Sequence, residues 1–362
     1  MNGKSAIDFP STAKESVNDA WIECIPRCYC PLCGKQGESL YAALADWVFG
    51  VPGSWGVRRC SACELAWQDP QPTPQHIPRL YERYYTHNSI QETRLARLRR
   101  AAYRWVLARM GYPVERPEGF LPWLLSLVPS VARAAVLEVM DLPASQVGSL
   151  LDVGCGNGDF VARMQSFGWS VAGVEPDPVA ATRVRSLGVQ VFTGTIADVP
   201  TANRYDVITL NHVIEHVADP IALLRECGRR LRPKTGILVM TTPNIKSLGH
   251  WWFKSYWRGL EMPRHLVLFS PASLSHFVAR SGLVLRSIRT DTRLARMIFI
   301  PSYCAQSGSL GIGDWTDFKV STKCASYAFQ LLEDLMALFK KDIGEEIYCV
   351  STAAAEENDE PE

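Results

Sequence analysis

From residue 149 onward the chain alternates short apolar runs with stretches of helical spacing. "SLLDVG" (149–154), "SVAGVE" (170–175), "VQVFTG" (189–194), "YDVITL" (205–210) and "GILVMTT" (236–242) are each rich in Val, Ile and Leu. Apolar runs of this length, separated by helical patterns, predict parallel strands covered on both faces. "LVLRSIRTD" (283–291) and "EEIYCVSTA" (345–353) read as two further strands. Between them, "TKCASYAFQLLEDLMALFKK" (322–341) has helical periodicity, so a helical insertion over about 292–344 is expected. Residues 86–146 also look helical, and residues 1–85, rich in Cys, Trp, Pro and Gly, resemble a small loop-rich module.

The expected architecture is α/β: a Rossmann-like, mostly parallel seven-stranded sheet over 147–353 with helices on both faces. A zinc-binding module over 1–85 and a helical linker or lid over 86–146 precede it, and a disordered acidic tail over 354–362 follows.

Composition narrows the function classes. The chain has 362 residues, 47% hydrophobic and 21% charged, with a net charge of +1. So small a charge supplies no global field for nucleic acid or for an anionic membrane, so a nucleic-acid partner is not expected. "MNGKSAIDFPSTAKES" lacks the apolar segment of a secretory signal, and no apolar run reaches the roughly 20 residues of a membrane span. A cytoplasmic location is expected, in which the 11 cysteines serve as thiols or metal ligands.

Two cysteine pairs stand out. Cys30 and Cys33, then Cys60 and Cys63, form C-x-x-C knuckles 26 residues apart. Each knuckle offers two thiolates, and together they make one tetrahedral four-cysteine zinc site of the structural kind. A redox C-x-x-C is the poorer alternative, because no strand–helix pair of the thioredoxin type surrounds either one.

"LLDVGCGNGDF" (150–160) sets Gly154, Gly156 and Gly158 between a strand and a helical pattern. Absent side chains admit a ligand to the backbone, and a helix N-terminus offers free N–H groups. Asp152 precedes the turn, and the next strand ends in Glu175, placed to accept hydrogen bonds from ribose hydroxyls. "NHVIEHV" (211–217) follows the fourth strand, at the edge where open α/β sheets bind ligands. Its His212, Glu215 and His216 also match the H-x-x-E-H signature of inverted zinc peptidases. That chemistry needs a sustained helix and a third ligand, whereas Asp219-Pro220 cuts any helix short.

As a set, Asp152 to Gly158, Glu175, "YDVITL" and "LRPKTGILVMTTPN" resemble the class I S-adenosylmethionine-dependent methyltransferases. The resemblance implies S-adenosyl-L-methionine as cofactor. The glycine turn, with Cys155, would cradle its methionine part, and Glu175 followed by Pro176 would hold its ribose. In "GTIADVP" (194–200), Thr195 and Ile196 would meet the adenine, and Asn211 and His212 would line the cofactor. His216 or Glu215 would serve the pocket in acid–base duty, or His216 would only shape its loop. A metal site like that of some quinone O-methyltransferases is the alternative there, with His212 standing where those relatives carry a glutamate.

"VRRCSACELAWQDPQPTPQHIPRLYERYY" (57–85) is similar to a segment of bacterial methyltransferases with an N-terminal zinc knuckle, among them sugar and small-metabolite enzymes. Glu64 stands where Gly is usual. "GLEMPRHLVLFSPASL" (259–274) matches the same group; Arg264 there is suited to gripping substrate phosphate or carboxylate, and His265 to acting as a base, or both brace the loop.

The expected function is therefore methyl transfer to a hydroxyl of a small metabolite or glycan, with catalytic His216, His265 and Glu215. C-methylation of a keto sugar nucleotide, RNA base methylation and a non-catalytic zinc scaffold are the alternatives. Residues 86–146, basic at "RLARLRRAAYRWVLARM" and apolar at "FLPWLLSLVPSVARAAV", are expected to cover the pocket, to touch a membrane surface peripherally, or to cap the core.

Overall fold

The computed structural model describes residues 22–81, 94–308 and 318–354. The acidic tail from 355 lies outside the described residues, as do 1–21 and 82–85 of the cysteine-rich region, 86–93 of the helical one and 309–317 of the insertion.

The N-terminal region holds five strands, β1 (Cys24–Ile25), β2 (Glu38–Leu44), β3 (Trp55–Arg59), β4 (Ala66–Gln68) and β5 (Gln71–Pro72). Three helices follow, α1 (Arg94–Arg109), α2 (Phe120–Leu125) and α3 (Pro129–Leu137). The alternating part then runs β6 (Ser149–Val153), α4 (Asp159–Ser166), β7 (Ser170–Glu175), α5 (Pro178–Ser186), β8 (Gln190–Thr193), β9 (Val207–Asn211), α6 (Pro220–Arg230) and β10 (Ile237–Pro243). It closes with α7 (Leu248–Phe253), β11 (Val267–Leu268), α8 (Pro271–Arg280), β12 (Leu283–Asp291), α9 (Ala295–Gln306), α10 (Val320–Ala337) and β13 (Glu346–Ala353).

The main sheet has seven strands in the order β12-β13-β10-β9-β6-β7-β8. Its pairs from β10 to β8 are parallel, and β13 runs antiparallel to both neighbours. Local chemistry starts the helices. Asp177 and Asp219 accept the Val179 and Ala222 amides at the N-termini of α5 and α6, each followed by a proline whose missing N–H costs nothing there.

Alternation along each strand divides the core. Leu150, Val207, Val239 and Tyr348 face one side, with Met164 of α4 and Leu107, Leu137 and Leu142 from the helical region. Leu151, Ile208, Met240 and Cys349 face the other, with Leu224 of α6 and Phe277 of α8. The helical region thus caps one face of the sheet, and the Tyr112 and Tyr348 hydroxyls pin its end by donating to the Leu142 and Met140 carbonyls at 2.7 and 3.0 Å. Of the three roles that the sequence allowed it, the core cap is the one its packing displays.

The N-terminal region is not self-contained. Its four-stranded sheet, in the order β11-β4-β3-β2, takes its edge strand from Val267–Leu268, two hundred positions away. Cys30, Cys60, Leu65 and Trp67 belong to the same buried cluster as Leu151 and Ile208. The 1–85 boundary therefore marks a change of composition and not an independent core. Among the described residues no helix is long and apolar enough to cross a membrane.

Candidate cofactor pocket and zinc centre

The first loop at the carboxyl edge of the sheet joins β6 to α4. Gly154, Gly156 and Gly158 all have positive φ, at 75°, 52° and 85°. Their reasons differ. A Cβ on Gly154 would sit 2.6 Å from Val213, and one on Gly158 2.8 Å from Val184. Those two glycines let chain segments pack closely. Only Gly156 opens on empty space, with nothing within 4 Å of a Cβ built there. Its amide donates to Glu175 Oε2 at 2.8 Å, while the Asp177 amide donates to Glu175 Oε1 at 3.0 Å. Each carboxylate oxygen keeps a lone pair for a further donor. Burial raises the Glu175 pKa, against the lowering by these two amides. Asp152, deeper still, accepts from the Thr209 hydroxyl at 2.6 Å, and burial pushes its carboxyl up to about 7.

Other sequence-selected residues fall on either side of this turn. Cys155 is buried, with its sulfur against Gly173. Pro176 is exposed just after Glu175. Thr195 closes a capping box with Asp198, whose carboxylate accepts the Thr195 amide at 2.7 Å. Ile196 departs from expectation: it is buried in the main core and offers no face to an adenine ring. Asn211 accepts from the Thr241 hydroxyl at 2.7 Å.

The "NHVIEHV" segment forms a single 3-10 turn, Ile214–His216, which explains why the peptidase geometry is absent. His212 takes φ 54°, and its ring spans two buried carboxylates, Glu215 Oε1 at 3.2 Å and Glu346 Oε1 at 2.7 Å. Burial alone would lower its pKa, but the bonds to Glu215 and Glu346 carry it up to about 10. It is therefore an imidazolium at neutral pH. Glu215, with its other oxygen on the Thr242 hydroxyl, is held down to about 2; burial opposes this and His212 overcomes it. Glu346 also accepts from Arg293.

His216 and His265 meet with ring centroids 4.7 Å apart. His216 Nδ1 lies 3.1 Å from the Arg264 carbonyl and 2.9 Å from the Tyr81 hydroxyl. A carbonyl only accepts, so Nδ1 carries the proton and Nε2 is left with a free lone pair. His265 Nδ1 likewise donates to the Gly259 carbonyl at 2.8 Å, but its Nε2 faces the Glu261 carboxylate at 3.8 Å. Burial, aided by neighbouring His216, pushes the His265 pKa down to about 4. His265 is the more buried of the two, and His216 keeps partial access. Glu215, His216 and His265 each bring one ligand atom within 4.8 Å of the others, so the cluster has the donor set for a metal ion as well as for proton transfer.

Arg264 requires a correction. Its guanidinium is fully buried, donates to both Asp46 oxygens at 2.7 and 3.0 Å and to Glu261 at 3.2 Å, and lies 4.2 Å from the Phe49 ring centre. All its donors point inward, so it braces the loop against the N-terminal region and grips no substrate. Tyr81, Glu346 and Arg293 escaped the sequence reading; only Tyr81, inside the quoted "IPRLYERYY", carried any signal.

The cysteines converge as their spacing requires. Cys30 and Cys63 sulfurs lie 3.5 Å apart, as do those of Cys33 and Cys60, and all four fall within 4.8 Å of one another. A tetrahedral zinc with 2.3 Å bonds needs about 3.8 Å between sulfurs. Both knuckles close alike, the Gly34 and Glu64 amides donating to the Cys30 and Cys60 carbonyls at 2.9 and 3.0 Å. Glu64 adopts φ 61° where Gly34 has 74°, and its carboxylate pairs with Lys246 at 3.3 Å. The four thiols fit structural zinc.

Residues 126–288 match the family described as a methyltransferase domain. A ubiquinone biosynthesis O-methyltransferase of Vibrio parahaemolyticus is 34% identical over 107 residues, covering 27% of this chain and 46% of that protein. The enzyme of the same name from Proteus mirabilis is 28% identical over 157 residues, covering 41% and 62%. The chain thus spans about half the length of the curated relatives it matches. Among solved structures, phosphoethanolamine N-methyltransferase 2 of Haemonchus contortus, in complex with S-adenosyl-L-methionine, gives a TM-score of 0.42 at 14% identity, covering 80% of this chain and 62% of that one. A methyltransferase of Archaeoglobus fulgidus gives 0.38 at 15% identity, covering 68% and 98%. The match to a methyltransferase domain covers residues 126–288, and the mostly parallel seven-stranded sheet is the expected Rossmann-like fold.

Proposed function

We propose that this chain methylates a hydroxyl group of a small metabolite or glycan, using S-adenosyl-L-methionine. The observation that carries the reading is the open Gly156–Glu175 turn together with the part-exposed His216, whose Nδ1 bond to the Arg264 carbonyl leaves the proton-accepting lone pair on Nε2. S-adenosyl-L-methionine, when bound, supplies an electrophilic methyl group on a sulfonium sulfur. The Gly154–Gly158 turn would receive its methionine part and Glu175 its ribose, with Asp152, Cys155, Pro176 and Thr195 shaping the walls. Asn211 and His212 would complete that side.

His216 is the base in this reading. Its Nε2 accepts the acceptor hydroxyl's proton as the oxygen becomes nucleophilic, and the Arg264 carbonyl fixes its tautomer. His265, held neutral, keeps a second charge away from that proton. Glu215 balances the His212 imidazolium and so orients the turn that carries His216. The curated relatives are named for O-methylation in ubiquinone biosynthesis, which supports an oxygen acceptor. Cytoplasmic location belongs to the same reading but is independent of its chemistry.

The test begins with calorimetry. Binding of S-adenosyl-L-methionine or its demethylated product should weaken about tenfold or more in Glu175→Ala, as loss of two hydrogen bonds would give. Labelled methyl should then pass from the cofactor into a small-molecule or glycan fraction of a cell extract. Label in RNA would replace the acceptor assignment, and affinity undiminished in Glu175→Ala would remove Glu175 from the site.

A further inference from the structure

The outer face of α10 is unlike that of a helix facing water. Its inner face is packed: Phe329 lies against Phe253 and Phe299 at 6.0 and 5.3 Å between ring centres, and Glu333 accepts the Glu345 amide at 3.0 Å. The opposite face should be polar in a water-exposed helix. Instead, every exposed residue from Cys324 to Phe339 is apolar or aromatic. Tyr327, Leu331, Leu335 and Leu338 recur on one stripe, 54%, 60%, 51% and 72% exposed, and Phe339 beyond the helix end is 91% exposed. A second apolar stretch repeats the pattern. From Gly119 to Pro129, around α2, every exposed residue is apolar, with Phe120 at 70% and Leu121 at 52%.

These segments belong to one helical layer. Arg133 of α3 bonds Asp334 of α10 at 2.9 Å, and α3 packs on α1 through Tyr103, Val106 and Ala135. That layer is strongly basic. Arg97, Arg99, Arg100 and Arg104 are exposed on α1; Arg104 pairs with Glu115 at 3.5 Å and Arg99 bonds the Tyr103 hydroxyl, and no acidic residue occurs between 94 and 114. Lys340 and Lys341 follow α10, both exposed.

We propose that this layer docks on an anionic phospholipid bilayer, α10 and the α2 segment entering the interface while the α1 arginines meet lipid phosphates. Apolar burial and basic charge are the two contributions that hold a peripheral helix at such a surface, and each is present here. The charge selects the occupant. A second copy seated on this layer would bring one arginine helix toward the other, whereas an anionic headgroup layer complements it. The sequence pointed to residues 86–146 for membrane contact; α10, which it assigned only to an insertion, supplies the longest apolar stripe. The inference rests on no part of the methyl-transfer reading.

The experiment is sedimentation of the full chain with vesicles of phosphatidylcholine alone or with added phosphatidylglycerol. Binding to the phosphatidylglycerol vesicles at low salt is expected, decreasing as salt screens the arginines. Arg97→Ala and Arg100→Ala should each weaken it roughly fivefold. Leu331→Asp with Leu335→Asp should abolish it while the melting temperature holds, since both side chains are exposed. His216→Gln should leave it unchanged. No sedimentation with phosphatidylglycerol vesicles at low salt overturns the proposal, as does equal binding by the Leu331→Asp/Leu335→Asp variant. A dimer in ultracentrifugation that this variant dissolves, without vesicle binding, would assign the face to a second copy instead.

Discussion

The cysteine centre and the histidine pair are two clusters of metal-competent or proton-competent side chains, and they are built in opposite ways. Each cysteine knuckle is made by its own backbone: the Cys30 and Cys60 carbonyls accept from Gly34 and Glu64, four residues on, and each turn aims two sulfurs. Only the meeting of two finished halves depends on the fold. The histidine pair has no such local frame. His216 sits on a lone 3-10 turn, His265 on a loop 49 positions later, and each ring is oriented by a carbonyl of the 259–264 segment. A site assembled from turns tolerates change around it; a site assembled from the tertiary structure fails when a distant brace moves.

The largest effect should come from the cysteine side. Elemental analysis should find about one zinc per chain, and Cys30→Ser should release it. Structural zinc contributes on the order of 10 kcal/mol to small modules, so the N-terminal region should lose cooperative melting. Because that region shares its core with the sheet, loss should spread to the pocket. Full zinc occupancy in Cys30→Ser would place the ligands elsewhere.

His216→Gln comes next. Turnover should fall by roughly 10² to 10⁴ while cofactor affinity holds, because a base acts in the transition state. Chelation of added divalent ions should leave wild-type activity intact; its abolition would favour a metal at Glu215, His216 and His265. Normal turnover in His216→Gln and in His265→Gln would leave alignment alone as the source of rate.

Tyr81 tests whether the two regions communicate. It ends the N-terminal region and touches His216 across 135 positions. Tyr81→Phe removes one hydrogen bond of about 1 kcal/mol, so turnover should drop several-fold with zinc content unchanged. Equal turnover would confine Tyr81 to packing.

The smallest effect is expected at Glu64. Glu64→Gly relieves a left-handed backbone position, a gain of about 1 kcal/mol, but gives up the partly exposed Lys246 pair, a loss of at most about 1 kcal/mol. The melting temperature of the zinc-loaded protein should barely move. A large fall would mean that the Lys246 contact holds the two regions together.

The sequence by itself determined the strands of the sheet, the glycine turn, the acidic strand end and the cysteine set. These depend on alternation, φ preference and spacing, which act over a few residues. Even there its reasons were incomplete: of three glycines only Gly156 opens on space, while Gly154 and Gly158 serve Val213 and Val184. Burial and partners were decided by the tertiary structure. Arg264 looks like a substrate grip until Asp46, 218 positions away, takes both its terminal nitrogens. His212 resembles a cofactor ligand or a metal ligand until Glu346, 134 positions away, fixes it as an imidazolium. An ionisable side chain takes its state from what surrounds it after folding. The chain that spells out its turns therefore leaves its charges to be settled by topology.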